Sequence, residues 1–427
     1  MLIIQKIKQK LKKEEYKRLL SNFISLAFLQ GANYILPLIT FPYLVRVLGV
    51  EKFGLLAFAG ATIAYFNILT DYGFNLTATR KVSIYRDNKE KLNEIFSSVM
   101  IIKLILMIIS FILLLILIFS FNKFRQDYEI FILTFGVVIG QVLFPQWFFQ
   151  GMERMKYITF LNILAKVIFT IAIFVFIHKS SDYWKVPLIN SLGFIVAGIL
   201  ALYIIFKDFK IKFKLQTLNT LKTYFIDGWH LFLSQINISL FSNTNPIILG
   251  LLANDQAVGY YSIAEKTMRA LAMFQTPITG SIFPYITKLI KENKQLAINK
   301  LKKIILYGSI IYTISIIFVI IFAPQIISIL FGNSSLPAVN VLRIISIVPL
   351  TIFLNNIFGT QIMLNIGRKK EFANILFKGA ILNILLCFVL TYYFSYIGTA
   401  ISLLIVEFYI MIAMYFQVYK EFKIAKY

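Results

Sequence analysis

The sequence predicts an all-α polytopic membrane protein with twelve transmembrane helices arranged as two six-helix bundles. Of its 427 residues, 59% are hydrophobic and only 15% are charged. Apolar runs of about 20 residues, the length that crosses the hydrocarbon core of a bilayer, recur along the chain. A soluble domain would instead alternate apolar and polar faces. Only helices and closed barrels satisfy every backbone group in lipid, and the lack of short alternating segments favours helices.

The distribution of Lys and Arg predicts the orientation of these spans. Of the 43 basic residues, 31 fall in segments on the side of the N-terminus and six in segments on the opposite side. Basic residues accumulate in cytoplasmic loops, so we expect both termini to be cytoplasmic. The predicted spans are roughly 22–46, 53–79, 96–121, 129–150, 157–178, 184–206, 223–252, 257–285, 304–331, 338–365, 371–393 and 396–419.

Weak internal similarity predicts a duplication. The segment LGVEKFGLLAFA (48–59) resembles LANDQAVGYYSIA (252–264), with Gly54 matching Gly259, and NILAK (162–166) resembles NILFK (374–378). An even number of spans in each half gives both halves the same orientation. We therefore expect an amphipathic cytoplasmic segment at 1–19 that contacts membrane lipids, an N-terminal bundle at 20–206, a cytoplasmic linker at 207–222 and a C-terminal bundle at 223–427.

Several functional classes are disfavoured by composition. The net charge of +24 is spread over many short loops, which does not indicate nucleic-acid binding. With one Cys, the chain cannot form a disulfide framework, and with only two His residues it does not indicate a metal site. Phosphate-binding glycine motifs are missing from the sequence, and no outer connection is long enough to carry catalytic groups. We expect no enzyme activity and no cofactor, apart from a coupling Na⁺ or H⁺.

Lys166 and Lys378 are candidate anion-binding residues. Each lies about two helical turns from the cytoplasmic start of its span, or about 10–14 Å. If the duplication holds, they face each other across the pseudo-symmetry axis. Two lysines at one cavity suit an anion, because its charge offsets their mutual repulsion. The alternative is that each side chain extends back to the cytoplasmic headgroups.

Three charged residues, Glu265, Lys266 and Arg269, lie near the middle of the predicted eighth span. A charge at that depth is costly unless it faces a wet or paired interior. Glu265 precedes Arg269 by four residues, the favourable order for a helical ion pair, which is either purely structural or neutralises Arg269. Lys266 is then the better candidate for contacting a substrate. The predicted substrate-binding set is Lys166, Lys266, Arg269 and Lys378.

Carboxylates within the spans are candidates for binding a coupling proton or sodium ion. Glu407 lies near mid-depth in the twelfth span, and Glu265 lies in the eighth. Asp71 lies near the inner end of the second span, where a helix-end or loop-capping role is the alternative. All three are predicted as ion-coupling candidates.

Residues near the ends of spans have a default interpretation as interface anchors. Arg46 and Arg343 lie near outer ends, where side chains usually extend to the headgroups; a role at a gate or exit site is the alternative. Trp147, Trp184 and Trp229 also lie near span ends, where tryptophan is enriched.

Three stretches together resemble a known family. They are FPYLVRVLGVEKFGLLAFA with TDYGFNLTATR, then FPQWFFQGMERMKYITFLNILAK, then GYYSIAEKTMRALAMFQTPITGSIFPYITKL. These stretches are similar to the Wzx-type flippases of O-antigen and capsule synthesis, in the polysaccharide-transporter branch of the family that includes multidrug and toxin extruders. The likeness spans most of the chain, and FFQGMERMKY is its most specific motif.

The resemblance implies a MATE-like, alternating-access transporter with two six-helix bundles around a central cavity. The implied substrate is undecaprenyl pyrophosphate bearing one oligosaccharide repeat unit, moved from the cytoplasmic to the periplasmic leaflet of the cell inner membrane by an ion gradient. A polysaccharide polymerase and a chain-length regulator are candidate partners. Basic residues outnumber acids at depth in the spans, which suits a pyrophosphate. A cation-coupled multidrug exporter of the same fold is the alternative, and would favour the opposite balance.

Overall fold

The structure, a computed structural model, describes residues 2–272 and 275–424, and every regular element in those ranges is helical. The prediction of an all-α polytopic membrane protein is confirmed. Met1 and the side chains of residues 2–20 lie outside the described part, so the amphipathic face predicted for residues 1–19 stays a prediction. The helices are α1 (Leu2–Leu48), α2 (Val50–Asp71), α3 (Phe74–Ile84), α4 (Lys89–Ser120), α5 (Asn122–Gln126), α6 (Tyr128–Leu143), α7 (Gln146–Gly151), α8 (Met155–Phe176), α9 (Lys185–Lys207), α10 (Leu218–Ser242), α11 (Thr244–Leu252), α12 (Asp255–Ala272), α13 (Gln275–Glu292), α14 (Lys294–Phe331), α15 (Ala338–Ile345), α16 (Val348–Asn355) and α17 (Lys369–Ile424).

Nine helical segments within the described ranges are long and apolar enough to cross a membrane. Eight of them match one predicted span each, and the ninth, Lys369–Tyr419, covers the last two. The predicted seventh span corresponds to α10 and α11, and the eighth to α12 and α13. Both of these pairs carry more polar residues than the nine apolar segments do, which is the pattern expected of helices that face a polar interior.

The chain reverses direction within α17. Ser395 has φ 50° and ψ −135°, which is not helical. The hydroxyls of Thr391 and Thr399 are 2.8 Å apart, whereas eight residues of straight helix would separate them by about 12 Å. Residues on the two sides of Ser395 therefore form two antiparallel spans, as the sequence predicts for 371–393 and 396–419.

By the proximity of their Cα atoms, the residues form two compact units. Unit 1 comprises Met1–Phe41 and Thr62–Ile236, and unit 2 comprises Pro42–Ala61 and Asn237–Tyr427. The end of α1 and the start of α2 thus group with the second half of the chain, and the first part of α10 groups with the first half. The bundle boundaries predicted at the 207–222 linker stay a prediction.

Unit 1 holds the first part of α10 by aromatic and ionic contacts. The ring of Tyr72 stacks on Phe232 at 4.8 Å and on Phe225 at 4.3 Å between centroids. The ammonium of Lys81 is 2.5 Å from the Asp227 carboxylate. These contacts explain why this segment packs with residues that precede it in the chain by more than 100 positions.

Unit 2 contains a reciprocal contact between the two repeat segments. A Cβ added to Gly54 would lie well inside 3.0 Å of the Asp255 carbonyl oxygen. A Cβ added to Gly259 would likewise lie inside 3.0 Å of the Val50 carbonyl oxygen. Gly54 matches Gly259 and Val50 matches Asp255 in the repeat, so the contact is the same in both directions. Reciprocal contacts of this kind are those of a two-fold axis. The crossing of α2 and α12 therefore has the approximate two-fold symmetry that a duplication would produce, and the duplication itself stays a prediction.

The short helix α7 forms the core of unit 1. Trp147, Phe148 and Phe149 are all fully buried, and the Trp147 ring lies 6.0 Å from the ring of Phe96. The prediction that Trp147 is an interface anchor is wrong, because the six-residue helix turns its indole into the protein. Trp184 and Trp229 are 41% and 45% exposed.

The specific motif FFQGMERMKY forms the turn between α7 and α8. Gly151 allows α7 to approach α3, since a Cβ there would lie 2.5 Å from that of Val82. Glu153 follows with φ 54° and accepts a 2.7 Å bond from the Arg86 guanidinium, which also donates to the Gly151 carbonyl at 3.2 Å. The glycine of the motif thus permits the close crossing of α7 and α3, and its glutamate forms an ion pair that fixes the adjoining turn.

Candidate functional site

Lys166 lines a cavity within unit 1 whose walls are mostly apolar. Its half-buried side chain donates a 2.6 Å hydrogen bond to Asn33 Oδ1 on α1. The cavity has a volume of about 230 Å³ and lies between α1, α8 and α9. Asn190 and Thr170 also line it, and the Thr170 hydroxyl has no hydrogen-bond partner among the described residues. The site therefore combines one cation with one buried hydroxyl that lacks a hydrogen-bond partner among the described residues.

An apolar groove adjoins this cavity. It has a volume of about 270 Å³, runs between α8 and α9, and is lined only by aliphatic residues, Phe176 and glycine. Ala165 and Gly193 line both the groove and the cavity. One side of α8 thus presents Lys166, and the adjacent side presents a surface suited to a hydrocarbon chain.

A second cavity in unit 1 contains a lysine that is not among the predicted site residues. Lys103 on α4 is 4% exposed, and its ammonium lies 3.9 Å from Asp71 Oδ1 at the end of α2. Both residues line a cavity of about 180 Å³. Their pairing joins separate helices, so periodicity could not reveal it; the only signal was a lysine deep within the predicted third span.

In unit 2, the predicted helical ion pair between Glu265 and Arg269 is confirmed. The Arg269 Nε and Nη2 atoms donate to Glu265 Oε1 at 3.0 and 2.8 Å. The Glu265 side chain is only 13% exposed, whereas that of Arg269 is 57% exposed. The ammonium of the next residue, Lys266, lies 6.0 Å from the centre of the Phe53 ring. This helix turn therefore keeps one cationic group at an accessible surface and one against an aromatic face.

Glu407 is buried in the second half of α17. It is 3% exposed and accepts a 2.7 Å hydrogen bond from the Asn355 amide. Asn355 ends α16 and is followed by a π-helix, Asn356–Met363; such segments frequently occur at functional sites. Among the described residues, Glu407 forms no ion pair, unlike Glu265 and Asp71.

The remaining predicted site residues lie at exposed positions. Lys378 is exposed on α17; it belongs to unit 2 and Lys166 to unit 1, so their predicted juxtaposition stays a prediction. Arg46 donates to the carbonyls of Ile329 and Leu330 near the end of α14. Arg343 donates to the Ile320 carbonyl at 3.2 Å. Both arginines thus bind backbone carbonyls of α14.

The fold is shared with solved membrane transporters. It matches an inward-facing multidrug resistance MATE family transporter of the MOP superfamily over 95% of this chain and 99% of that one, with a TM-score of 0.69 and 16% identity. It matches lipid II flippase MurJ in an inward closed conformation over 95% and 90% of the two chains, again with a TM-score of 0.69 and 16% identity. The predicted MATE-like fold class is confirmed, and at this identity the likeness concerns the fold alone.

Sequence comparison then identifies the family. Residues 19–290 match the family described as "Polysaccharide biosynthesis protein". The chain is 37% identical over 386 residues to the "Putative O-antigen transporter" of Escherichia coli (strain K12), which covers 90% of this chain and 93% of that protein. It is 28% identical over 396 residues to the protein of the same description from Shigella dysenteriae, covering 92% and 98%. The chain belongs to the polysaccharide biosynthesis protein family, and the resemblance to Wzx-type flippases is confirmed.

Proposed function

We propose that this protein is a flippase for undecaprenyl-pyrophosphate-linked oligosaccharide repeat units. It moves them from the cytoplasmic to the periplasmic leaflet for O-antigen or capsule synthesis. The relatives described as O-antigen transporters support the class of cargo, and the transporter fold supports alternating access. The proposed location is the cell inner membrane with both termini cytoplasmic, which the distribution of basic residues supports.

The observation that carries the proposal is that Lys166 lines a cavity that adjoins an apolar groove. A lipid-linked pyrophosphate joins a dianionic group directly to a long hydrocarbon chain, and the charged part cannot cross hydrocarbon unaided. Lys166 and Asn33 can bind phosphate oxygens, while the groove between α8 and α9 accepts the adjoining part of the polyprenyl chain. The remaining chain stays in lipid.

Other basic residues complete the proposed route for the headgroup. Arg269, which is more than half exposed beside its ion-paired Glu265, and Lys266 serve as phosphate contacts in unit 2. Lys378 is assigned the same role on α17. Arg46 and Arg343 are the proposed exit-side arginines, and hydrogen bonds to backbone carbonyls of α14 hold both of them.

Glu407 is the proposed coupling carboxylate. A carboxylate that already pairs with a cation has less need of a proton or Na⁺, and Glu265 and Asp71 both have such a partner. Glu407 is buried and accepts a hydrogen bond from the neutral Asn355 amide. In the part of the chain that the structure describes, the cation that acts on it, Arg269, lies beyond ion-pair distance. Binding of H⁺ or Na⁺ would neutralise its charge in the low-dielectric interior.

The protein is proposed to act without enzymatic chemistry. The relatives are described as transporters, and the cargo would leave with every covalent bond intact. A polysaccharide polymerase and a chain-length regulator, which act on the repeat unit after it crosses, are the proposed partners.

Complementation of a flippase-deficient strain tests the proposal. Wild-type protein should restore O-antigen display, measured as the ladder of lipopolysaccharide on a gel. Lys166→Gln should lower display by about tenfold or more, because a hydrogen bond from a charged donor is worth about 1.5–3 kcal/mol. Lys156→Gln, at an exposed lysine near the start of the same helix, is the matched control and should behave as wild type. Equal display from the two variants would remove Lys166 from the mechanism.

Coupling is tested in proteoliposomes loaded with lipid-linked oligosaccharide extracted from that strain. Wild-type flipping should respond to an imposed proton or sodium gradient. Glu407→Gln keeps an acceptor for the Asn355 amide but removes the charge, so it should flip without a gradient response. Glu371→Gln, an exposed residue at the start of α17, should retain the response. A gradient response in Glu407→Gln would refute this assignment.

A further inference from the structure

We propose that the cavity at Asp71 and Lys103 binds a neutral sugar ring of the transported glycan. The inference rests on the proposed function, because it names the part of the same cargo that unit 1 recognises apart from the pyrophosphate. The cavity is distinct from the one at Lys166, and it is called the amide cavity below. Its polar lining residues are Asn67, Thr70, Asp71, Asn75, Lys103, Gln141 and Gln235.

The amide cavity gathers polar side chains from five helices. Asn67 and Asp71 come from α2, Asn75 from α3, Lys103 from α4, Gln141 from α6 and Gln235 from α10. Its volume of about 180 Å³ is far above the 10–15 Å³ that a single water needs. At about 30 Å³ for each water in the liquid, it holds on the order of six waters or one sugar ring.

Two of these groups, the Lys103 ammonium and the Asn67 Oδ1 atom, are left without internal hydrogen bonds to the described residues. Lys103 has three N–H donors, but its contact to Asp71 at 3.9 Å is too long for a hydrogen bond. The Asn67 Oδ1 atom is buried and has no partner among the described residues. Buried polar atoms in native proteins are nearly always satisfied. A charged donor and an amide acceptor facing one cavity therefore indicate a ligand that supplies the missing bonds.

The charges in the amide cavity favour a neutral ligand. An isolated cation would approach the Lys103 ammonium, and a phosphate would approach the Asp71 carboxylate, so each would meet repulsion from one member of the pair. Hydroxyl groups both donate and accept. They can accept from Lys103 and the amide nitrogens while donating to Asp71 and the amide oxygens. Ile68, which also lines the cavity, offers an apolar contact to a ring face.

A sugar site here would make the protein selective for its glycan. A site built to hydrogen-bond a hydroxyl rejects an analogue without it, because its own polar groups are then left unpaired. Lys166 would recognise the pyrophosphate common to all such cargo, and the amide cavity would read one sugar of the repeat unit.

Binding of free sugars to the full chain in lipid nanodiscs tests the proposal. The probes are a panel of uncharged monosaccharides, including glucose, galactose, rhamnose and N-acetylglucosamine, observed by saturation-transfer NMR. At least one should bind to wild type. Asn67→Leu and Gln141→Leu, which remove amides without altering charge, should each weaken it by about tenfold, the usual effect of losing one hydrogen bond. Asn162→Leu is the control, since among the described residues the Asn162 amide donates to the Ile158 carbonyl of its own helix and to no other group.

Inorganic pyrophosphate is the second probe and separates the two proposals. It should bind wild type and Asn67→Leu alike, and bind Lys166→Gln at least tenfold more weakly. Pyrophosphate binding with no bound sugar, or sugar binding equal in Asn67→Leu, Gln141→Leu and wild type, would overturn the sugar site and leave the flippase proposal standing. Sugar binding without complementation, in a strain that makes the matching repeat unit, would refute the flippase proposal and with it the assignment of this cavity to a transported glycan.

Discussion

Substitution of Gly54 by alanine should destabilise unit 2, although alanine is the better helix former. The new methyl would lie well inside 3.0 Å of the Asp255 carbonyl. That oxygen belongs to the backbone of α12, so the helices must separate by about 1 Å, which forfeits a quarter to a half of the dispersion energy at their contact. Overpacking costs about 1–3 kcal/mol, and a backbone obstacle favours the upper end.

The expected net change is smaller than the packing term. Replacing a mid-helix glycine by alanine contributes about 0.5–1 kcal/mol of stability through reduced chain entropy. The net loss for Gly54→Ala is therefore about 2 kcal/mol. Gly60→Ala is the matched control in the same helix, because nothing lies within 4 Å of a Cβ there. It should gain about 0.5–1 kcal/mol, so the two variants should differ by about 3 kcal/mol.

Both changes in the free energy of unfolding can be measured by reversible unfolding of the purified protein in mixed detergent micelles. Trp fluorescence reports the fraction unfolded. Gly259→Ala supplies the reciprocal test, since its methyl would meet the Val50 carbonyl, and it should be destabilised by a similar amount. If Gly54→Ala and Gly60→Ala proved equally stable, the close crossing of α2 and α12 would be refuted.

Three further outcomes are expected. Lys266→Glu should abolish complementation while membrane insertion, measured by fractionation, stays normal; full display would exclude this lysine from cargo binding. Reversing the charges of Lys166 and Lys378 together should reduce O-antigen display more than either change alone, whereas an inert double variant would favour side chains that extend to the headgroups. Gly151→Ala should lower the free energy of unfolding by about 1–3 kcal/mol, because its methyl forces α7 from α3. Gly193→Ala, where the nearest atom would be 3.5 Å away, should not show this loss.

The features that could be predicted from the sequence depend on the spacing of residues close together in the chain. Helical spans follow from apolar runs that match the bilayer, and the pair of Glu265 and Arg269 follows from the four-residue spacing of one helix. Even the duplication, read from short matches around Gly54 and Gly259, concerns similarity along the chain.

The features that escaped prediction depend on which helices become neighbours. Lys103 and Asp71 lie on different helices. The hydrogen bond that Lys166 donates to Asn33 joins residues 133 positions apart. Hydropathy assigns depth to such residues but does not say which partner each one meets. Trp147 shows the same limit: its position near a predicted span end indicated the interface, but the direction of its ring is set by tertiary packing around α7.

The reciprocal crossing at Gly54 and Gly259 has an evolutionary consequence. A single six-span gene product that pairs with itself makes this contact with one surface, because each copy supplies both the glycine and the carbonyl that it meets. If the predicted duplication is correct, fusion of two copies into one gene lets the two halves of the chain diverge elsewhere. At this crossing a larger residue at either glycine would clash with the backbone that the other glycine's helix supplies, so the two positions are constrained together.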